Sequence, residues 1–293
     1  DSRKSRGLGD VYKRQDNRLF LQHGPTNIVI EALGIDKNLA YLNAKNYFET
    51  LLEELVLDLT LLKKEVVLNR KFNNKISQSM QDATERFIPS FITPMAAVAG
   101  SIADNILKVL IDDTHLEKAY VNNGGDISFY LNENQTMKGS LAAIPNMITE
   151  IKHKNSSRGI ATSGWRGKSF SRGIADSVTV LANNAAIADA AATMIGNAVD
   201  IYDHPNIKKK PANFIYEDSD LNNLLVTVEV GKLTKIEIKK ALKNGYQTAI
   251  EYVQKDLINT ALIQLSDYFC IVQKNSTDLN IINKSSLKQI SFI

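Results

Sequence analysis

The 293-residue sequence predicts an α+β domain with mixed sheets and packed helices. Three observations predict it. Apolar residues recur at helical spacing over long stretches, as at Phe48, Leu51, Leu52, Leu55, Val56 and Leu59. Short β-branched and aromatic runs read as strands between them. The two kinds alternate without the regular strand–helix–strand period of a doubly wound parallel sheet.

Taken in order, Arg18 to Leu33 reads as a hairpin, with Leu19-Phe20-Leu21 and Ile28-Val29-Ile30 flanking a Gly24-Pro25 turn. The long amphipathic helix through Phe48 follows. Thr93-Pro94 has the form of an N-cap with proline at the first helical position. The helix it opens carries Met95, Val98, Ile102, Ile106, Leu107 and Leu110, and its other face is unusually small. Ala119–Val121 and Ile127–Tyr130 read as strands, with more at Ser140–Ala143, Gly159–Thr162, Ser177–Leu181 and Leu224–Val230. Thr234-Lys235-Ile236-Glu237 is a capping box that opens another helix. Phe269–Val272 is the closing strand, and residues 275–293 form a polar tail expected to fray.

Residues 1–15 stand apart. Asp10-Val11-Tyr12-Lys13-Arg14-Gln15 is the in-frame translation of a transposon end used in sequencing-library adaptors, so this segment is read as non-native and 16–274 as the domain. The segment holds five basic residues and two acids, a contribution of +3. The whole chain also carries +3, which leaves residues 16–293 at zero and gives nucleic-acid binding no support. Lys208-Lys209-Lys210, followed by Pro211, reads as a solvated loop. No run approaches the roughly 18 apolar residues of a membrane span. A single cysteine, Cys270, excludes an intrachain disulfide and a zinc knuckle. Cytoplasmic location is the expectation, with no membrane partner and a homodimer as the assembly.

Chemistry concentrates between Gly159 and Asp200. Asp189 and Thr193 are four apart, so on a helix their oxygens share a face, and only alanines lie between them. Hard oxygen ligands on a small-residue face suit Mg²⁺, which completes its shell with phosphates and water. The other reading is an alanine-rich helix packed tightly on a sheet. In Asn122-Asn123-Gly124-Gly125-Asp126, two glycines allow close backbone approach and an anion nest, with Asn122 and Asp126 as ligands for ribose or phosphate; the same residues also make a good tight turn. Thr162 and Ser163 offer hydroxyls at a strand end. Arg166, Lys168 and Arg172 form a basic turn suited to phosphate or carboxylate, with at least one arginine expected in the same cleft as Asp189. No histidine pairs with another at metal-ligand spacing.

The order of these motifs adds to them. A helix with Gly100-Ser101-Ile102-Ala103-Asp104 is followed by Val-Asn-x-Gly-Gly-Asp-Ile, Ala-Thr-Ser-Gly, Ser-Val-Thr-Val-x-Ala and Ala-Asp-Ala-x-x-Thr. This resembles the ApbE-type flavin transferases over about residues 92–200. The chain from about 17 to 272 is most similar to an uncharacterised prokaryotic ApbE-like subgroup. The resemblance implies a two-lobed single domain with FAD between the lobes, Mg²⁺ on its diphosphate, and transfer of FMN to a threonine of an acceptor protein. It also implies Asp189 and Thr193 as metal ligands. Asn122, Gly124, Gly125 and Asp126 match its flavin-nucleotide loop and Gly100 and Asp104 its small-residue helix; with Thr162, Ser163, Arg166 and Arg172 these are the expected nucleotide-binding residues.

The chain also departs from that pattern. The transferases carry a His-x-x-Asp-Pro loop where this chain has Trp165 to Asp176, with no histidine and no proline, and their Met-Gly-Thr is missing. Asp176 and His23 are the candidates for activating an acceptor hydroxyl. The alternative function is a flavin- or metabolite-binding accessory protein in cofactor or sulfur metabolism, without transfer.

Overall fold

The computed structural model describes residues 10–13, 17–24, 26–140, 147–274, 280–283 and 287–292. Strands β1 (Asp10–Lys13), β2 (Leu19–His23) and β3 (Thr26–Gly34) lead into helices α1 (Lys37–Leu57), α2 (Leu59–Leu62) and α3 (Lys75–Thr84). Helix α4 (Val98–Ile111) precedes strands β4 (Leu116–Asn123), β5 (Asp126–Leu131), β6 (Thr136–Ser140), β7 (Met147–Lys152), β8 (Gly159–Ser163) and β9 (Ser177–Ala182). Helix α5 (Ala185–Ala198), strand β10 (Ile207–Pro211), the short α6 (Ala212–Ile215) and β11 (Leu225–Val230) follow. The chain closes with α7 (Lys235–Gln254), β12 (Thr260–Leu265), β13 (Tyr268–Gln273), β14 (Asn280–Asn283) and β15 (Lys288–Gln289).

One sheet organises the molecule, in the order β1-β2-β3-β4-β5-β8-β9-β12-β13-β15. All its neighbours are antiparallel except β13 and β15. Its two halves meet at β5 and β8, joined by only two residue pairs, Ile127 with Ile160 and Ser128 with Gly159. Each half carries its own core on the helical side. Leu21, Ile28, Ile30 and Val121 pack with α1 and α4 on one half. Val178, Val180, Ile263 and Cys270 pack with α5 and α7 on the other. At the junction the opposite face is covered by the sheet β14-β7-β6, through Phe129, Leu131, Ile151, Ile160 and Leu181. The α+β class and the two halves agree with the expected architecture.

Several expected elements moved. Thr93 does not cap α4: its hydroxyl bonds the Asp220 carboxylate, Pro94–Ala97 forms a 3-10 turn, and the α-helix starts at Val98. Lys208–Lys210 lie in β10 rather than a loop, because alternation turns Lys209 inward onto Asp200 while Lys208 pairs with Glu229. The polar tail supplies β14, paired with β7, and β15, paired with β13. Of the strand expected at 140–143, residues 141–143 lie outside the described residues, as does Pro25 of the hairpin turn. Strand β1 of the segment read as non-native pairs with β2. Pro94–Ile111 meets the length and composition of a membrane span after all, with mean hydropathy 1.4. Here that segment packs against α1, α5, β4 and β5, and half of it is buried.

Candidate functional site

Strand alternation sorts the candidate residues before any contact is measured. On β4, Ala119 and Val121 face α1 and α4, so Asn123 does too and Asn122 faces away. On β5, Ser128 reaches the Asp104 carboxylate at 2.6 Å, which puts Asp126, two residues earlier, on the helical side. On β8, Ala161 faces the helices, and so does Ser163, whereas the Thr162 hydroxyl lies on the far face against that of Thr179 at 2.9 Å. Asp126 stands one residue beyond the last rung joining β5 to β8. The amide that the next rung would have used, that of Thr162, donates to Asp126 Oδ1 at 3.2 Å instead.

Two helices meet over this junction. Gly100 of α4 lies so close to α5 that an added Cβ would stand 2.3 Å from the Ala185 carbonyl oxygen; only glycine fits. At that contact each helix caps the other. Asp104 of α4 accepts the first amides of α5, Ala185 at 3.0 Å and Ala186 at 2.8 Å. Asp189 of α5 accepts the Gly100 amide of α4 at 3.0 Å, and Ala99 also donates to it. A carboxylate at each helix N-terminus satisfies orphan amides and complements the helix dipole.

The charges are not balanced. Burial raises the pKa of Asp104. Burial pushes Asp126 up to about 7, against the lowering effect of the Thr162 amide. Asp189 is raised well above the usual carboxylate range, first by burial and then by the charge of Asp126, with Asp104 adding to it. No cation is among the influences on any of the three. Among the described residues, no group of three or more His, Cys, Asp or Glu side chains is placed to hold a metal ion. Asp189 and Thr193 lie one turn apart on α5, and the Thr193 hydroxyl bonds no described residue.

The turn beside this centre is open. Gly124 and Gly125 have φ of +66° and +119°, and an added Cβ at either would meet nothing within 4 Å. The Asn122 carboxamide shapes the turn by accepting the Gly125 amide at 2.9 Å. By the register of β3 on β4, the turn after His23 stands beside Gly124 and Gly125; the His23 ring meets Phe48 edge-on at 6.4 Å.

The basic turn has partners of its own. Arg166 stacks on Trp165 at 4.9 Å and its Nε is 3.3 Å from Asp176 Oδ1. Asp176 also accepts the Trp165 indole N–H at 3.1 Å and the Ser266 amide at 2.6 Å, so three described donors hold its carboxylate. The Arg172 amide donates to the Asn197 side chain at 2.8 Å, beside the C-terminal end of α5, two turns beyond Asp189. Lys168 is exposed. Asn123 escaped the sequence reading: its Nδ2 donates to the Ala99 carbonyl at 3.1 Å and fixes the start of α4. The period-two pattern that puts Val121 inside also puts Asn123 there.

Two grooves open elsewhere. One of about 480 Å³ lies between α3 and the start of α5, near Phe72, Arg86 and Asn184. Another of about 340 Å³ lies beyond Arg166 and Asp176. Neither is lined by Asp126 or Asp189.

The family model described as "AbpE bacteria" matches residues 10–277, and the chain belongs to this family, an ApbE-like prokaryotic group. A UPF0280 protein of Methanothrix thermoacetophila is 40% identical over 112 residues, 37% of this chain and 46% of that protein. Another, from Methanococcus maripaludis, is 35% identical over 176 residues, 53% of this chain and 68% of that protein. The chain thus spans about half of the first relative and two thirds of the second. Among solved structures, the ApbE protein of Thermotoga maritima superposes with a TM-score of 0.49 at 11% identity, covering 91% of this chain and 98% of that one. A flavin transferase ApbE variant from Vibrio cholerae gives 0.44 at 12% identity, covering 92% and 98%.

Proposed function

We propose that the chain binds a flavin nucleotide, FAD, together with Mg²⁺ at the Asp126–Asp189 centre, and that its activity is of the flavin-transferase type. The observation that supports the reading is two partly buried carboxylates, Asp126 and Asp189, the charge of the first raising the pKa of the second and neither paired with a cationic side chain among the described residues, in a chain of the ApbE-like family. Asp189 and Thr193 are the residues that would hold the cation, which when bound would offset the charge of the diphosphate. Asp126 aligns the Thr162 amide and balances the cation from the sheet side. The open Gly124-Gly125 turn gives a phosphate or ribose room to approach the backbone. The Ala99 and Gly100 amides, which now serve Asp189, are the donors a phosphate oxygen would meet at the start of α4.

In the transfer itself, a threonine hydroxyl of the acceptor protein attacks the flavin-side phosphorus. The phosphoanhydride bond breaks, AMP leaves, a phosphoester forms, and the hydroxyl proton passes to a base. His23, at the same end of the sheet, is the candidate for that base, since Asp176 is committed to three partners. Thermal unfolding tests the binding step. FAD or ADP raises Tm only when Mg²⁺ is present, and no shift with either nucleotide under any condition would overturn the reading.

The occupied Asp176 and the missing histidine favour one further reading, a flavin-binding accessory protein without transfer. Protein incubated with FAD, Mg²⁺ and a candidate acceptor distinguishes the two. AMP release with covalent flavin on the acceptor supports transfer; tight binding with neither product supports the accessory role.

A further inference from the structure

The groove beyond Arg166 is a second feature at the same end of the sheet. It is walled by Val230, Leu233, Ile238 and Leu265, floored by Tyr268, and has an accessible volume of about 340 Å³. Such a size and mixture of apolar walls with a few charges is that of a ligand site. Its cations are Arg166, Lys232 and Lys235; its acids are Asp176 and Asp267. Asp176 is spent on Arg166, Trp165 and the Ser266 amide. Neither Lys232 nor Lys235 has a carboxylate partner among the described residues. The Lys235 ammonium instead lies 6.0 Å from the centre of the Tyr268 ring, and that of Lys288 lies 5.9 Å from it. An aromatic floor flanked by lysines, with a stacked arginine opposite, complements an anion that brings its own apolar group.

We propose that this groove receives an acidic segment of a protein partner, seating an apolar side chain on Tyr268 with carboxylates at Lys232, Lys235 and Arg166. The placement gives it a purpose. Strand β8 ends at Ser163, next to the Thr162 amide that Asp126 accepts, and Arg166, three residues on, lines the groove. A segment held there runs toward the nucleotide. This role rests on the reading that the chain acts on a protein acceptor, but the binding itself does not require any transfer.

Trp165 is the only tryptophan, and its contact with Arg166 makes it a reporter. The experiment titrates an unlabelled peptide of alternating glutamate and phenylalanine into the protein and follows tryptophan emission. The double variant Lys232→Glu/Lys235→Glu is compared with Lys243→Glu, an exposed lysine of α7 outside the groove. An acid at the first position of α7 suits a helix N-terminus, so the fold is kept. The expected result is saturable binding, weakened at least about tenfold in the double variant and by added salt, and unchanged in Lys243→Glu. Equal binding by wild type and double variant, or no binding by wild type, overturns the proposal. The Mg²⁺-dependent FAD shift, measured on the same proteins, reports separately on the carboxylate centre and is expected to survive the double substitution.

Discussion

Asp104 and Asp189 do the same thing to each other's helices, yet their surroundings differ in a way that separates structure from function. The start of α5 is capped twice over. Asn184 accepts the Ile187 amide at 2.8 Å, and Asp104 takes the two amides before it while also accepting the Ser128 hydroxyl. The start of α4 has no local cap: Ala97 carries no side-chain acceptor, and Thr93 is engaged by Asp220. That end depends on Asp189, which also faces the charge of Asp126 and stands one turn before Thr193, whose hydroxyl has no partner among the described residues. A carboxylate with three donors is a closed structural unit. A carboxylate that caps one helix while another carboxylate repels it has something to gain from a cation. The first of the pair orients the second.

Substitutions can break this contrast. The largest effect is expected for Asp104→Ala, which strands the Ala185 and Ala186 amides and the Ser128 hydroxyl; chemical denaturation should show a loss of about 3 kcal/mol. Next comes pH. The pKa of Asp126 lies above its ordinary 3.8, at about 7. The folded state therefore holds its proton more tightly than the unfolded state. That contribution to stability is full below about pH 4 and is lost as pH rises through about 7. Asp126→Asn should flatten this part of the stability–pH curve. Asn123→Ala, which removes the donor to the Ala99 carbonyl, should cost about 1 kcal/mol. The smallest stability change is expected for Asp189→Asn, below about 1 kcal/mol, because the carboxamide oxygen still accepts the Gly100 amide while the charge facing Asp126 disappears. The same substitution should abolish any Mg²⁺-dependent stabilisation by nucleotide.

Much of this fold was legible in the chain because its signals are local. The hairpin of β2 and β3, the Thr234 capping box with its reciprocal Glu237 bond, and the glycine turn after Asn123 each follow from neighbouring residues. The spacing of Asp189 and Thr193 placed both on one helix, and α5 carries them. What escaped depends on long-range pairing. Thr93 looked like a cap until Asp220, 127 residues away in sequence, took its hydroxyl. Arg166 reads from the sequence as a phosphate contact; the ion pair it makes, with Asp176, depends on the β12–β13 turn, whose Ser266 amide holds that carboxylate. Gly100 and Asp104 were read as nucleotide positions, and their visible work is to bind α4 to α5. The inward side of Asn123 was available from strand alternation alone.

The central claim is that Asp189 links a cation to a flavin nucleotide. Titration calorimetry of FAD with and without Mg²⁺, on the wild type and on Asp189→Asn, tests it most directly. The account expects Mg²⁺ to tighten FAD binding at least about tenfold in the wild type and to leave Asp189→Asn unaffected, while Asp189→Asn stays folded. Equal FAD affinity with and without Mg²⁺ in the wild type, or an undiminished Mg²⁺ effect in Asp189→Asn, would contradict it.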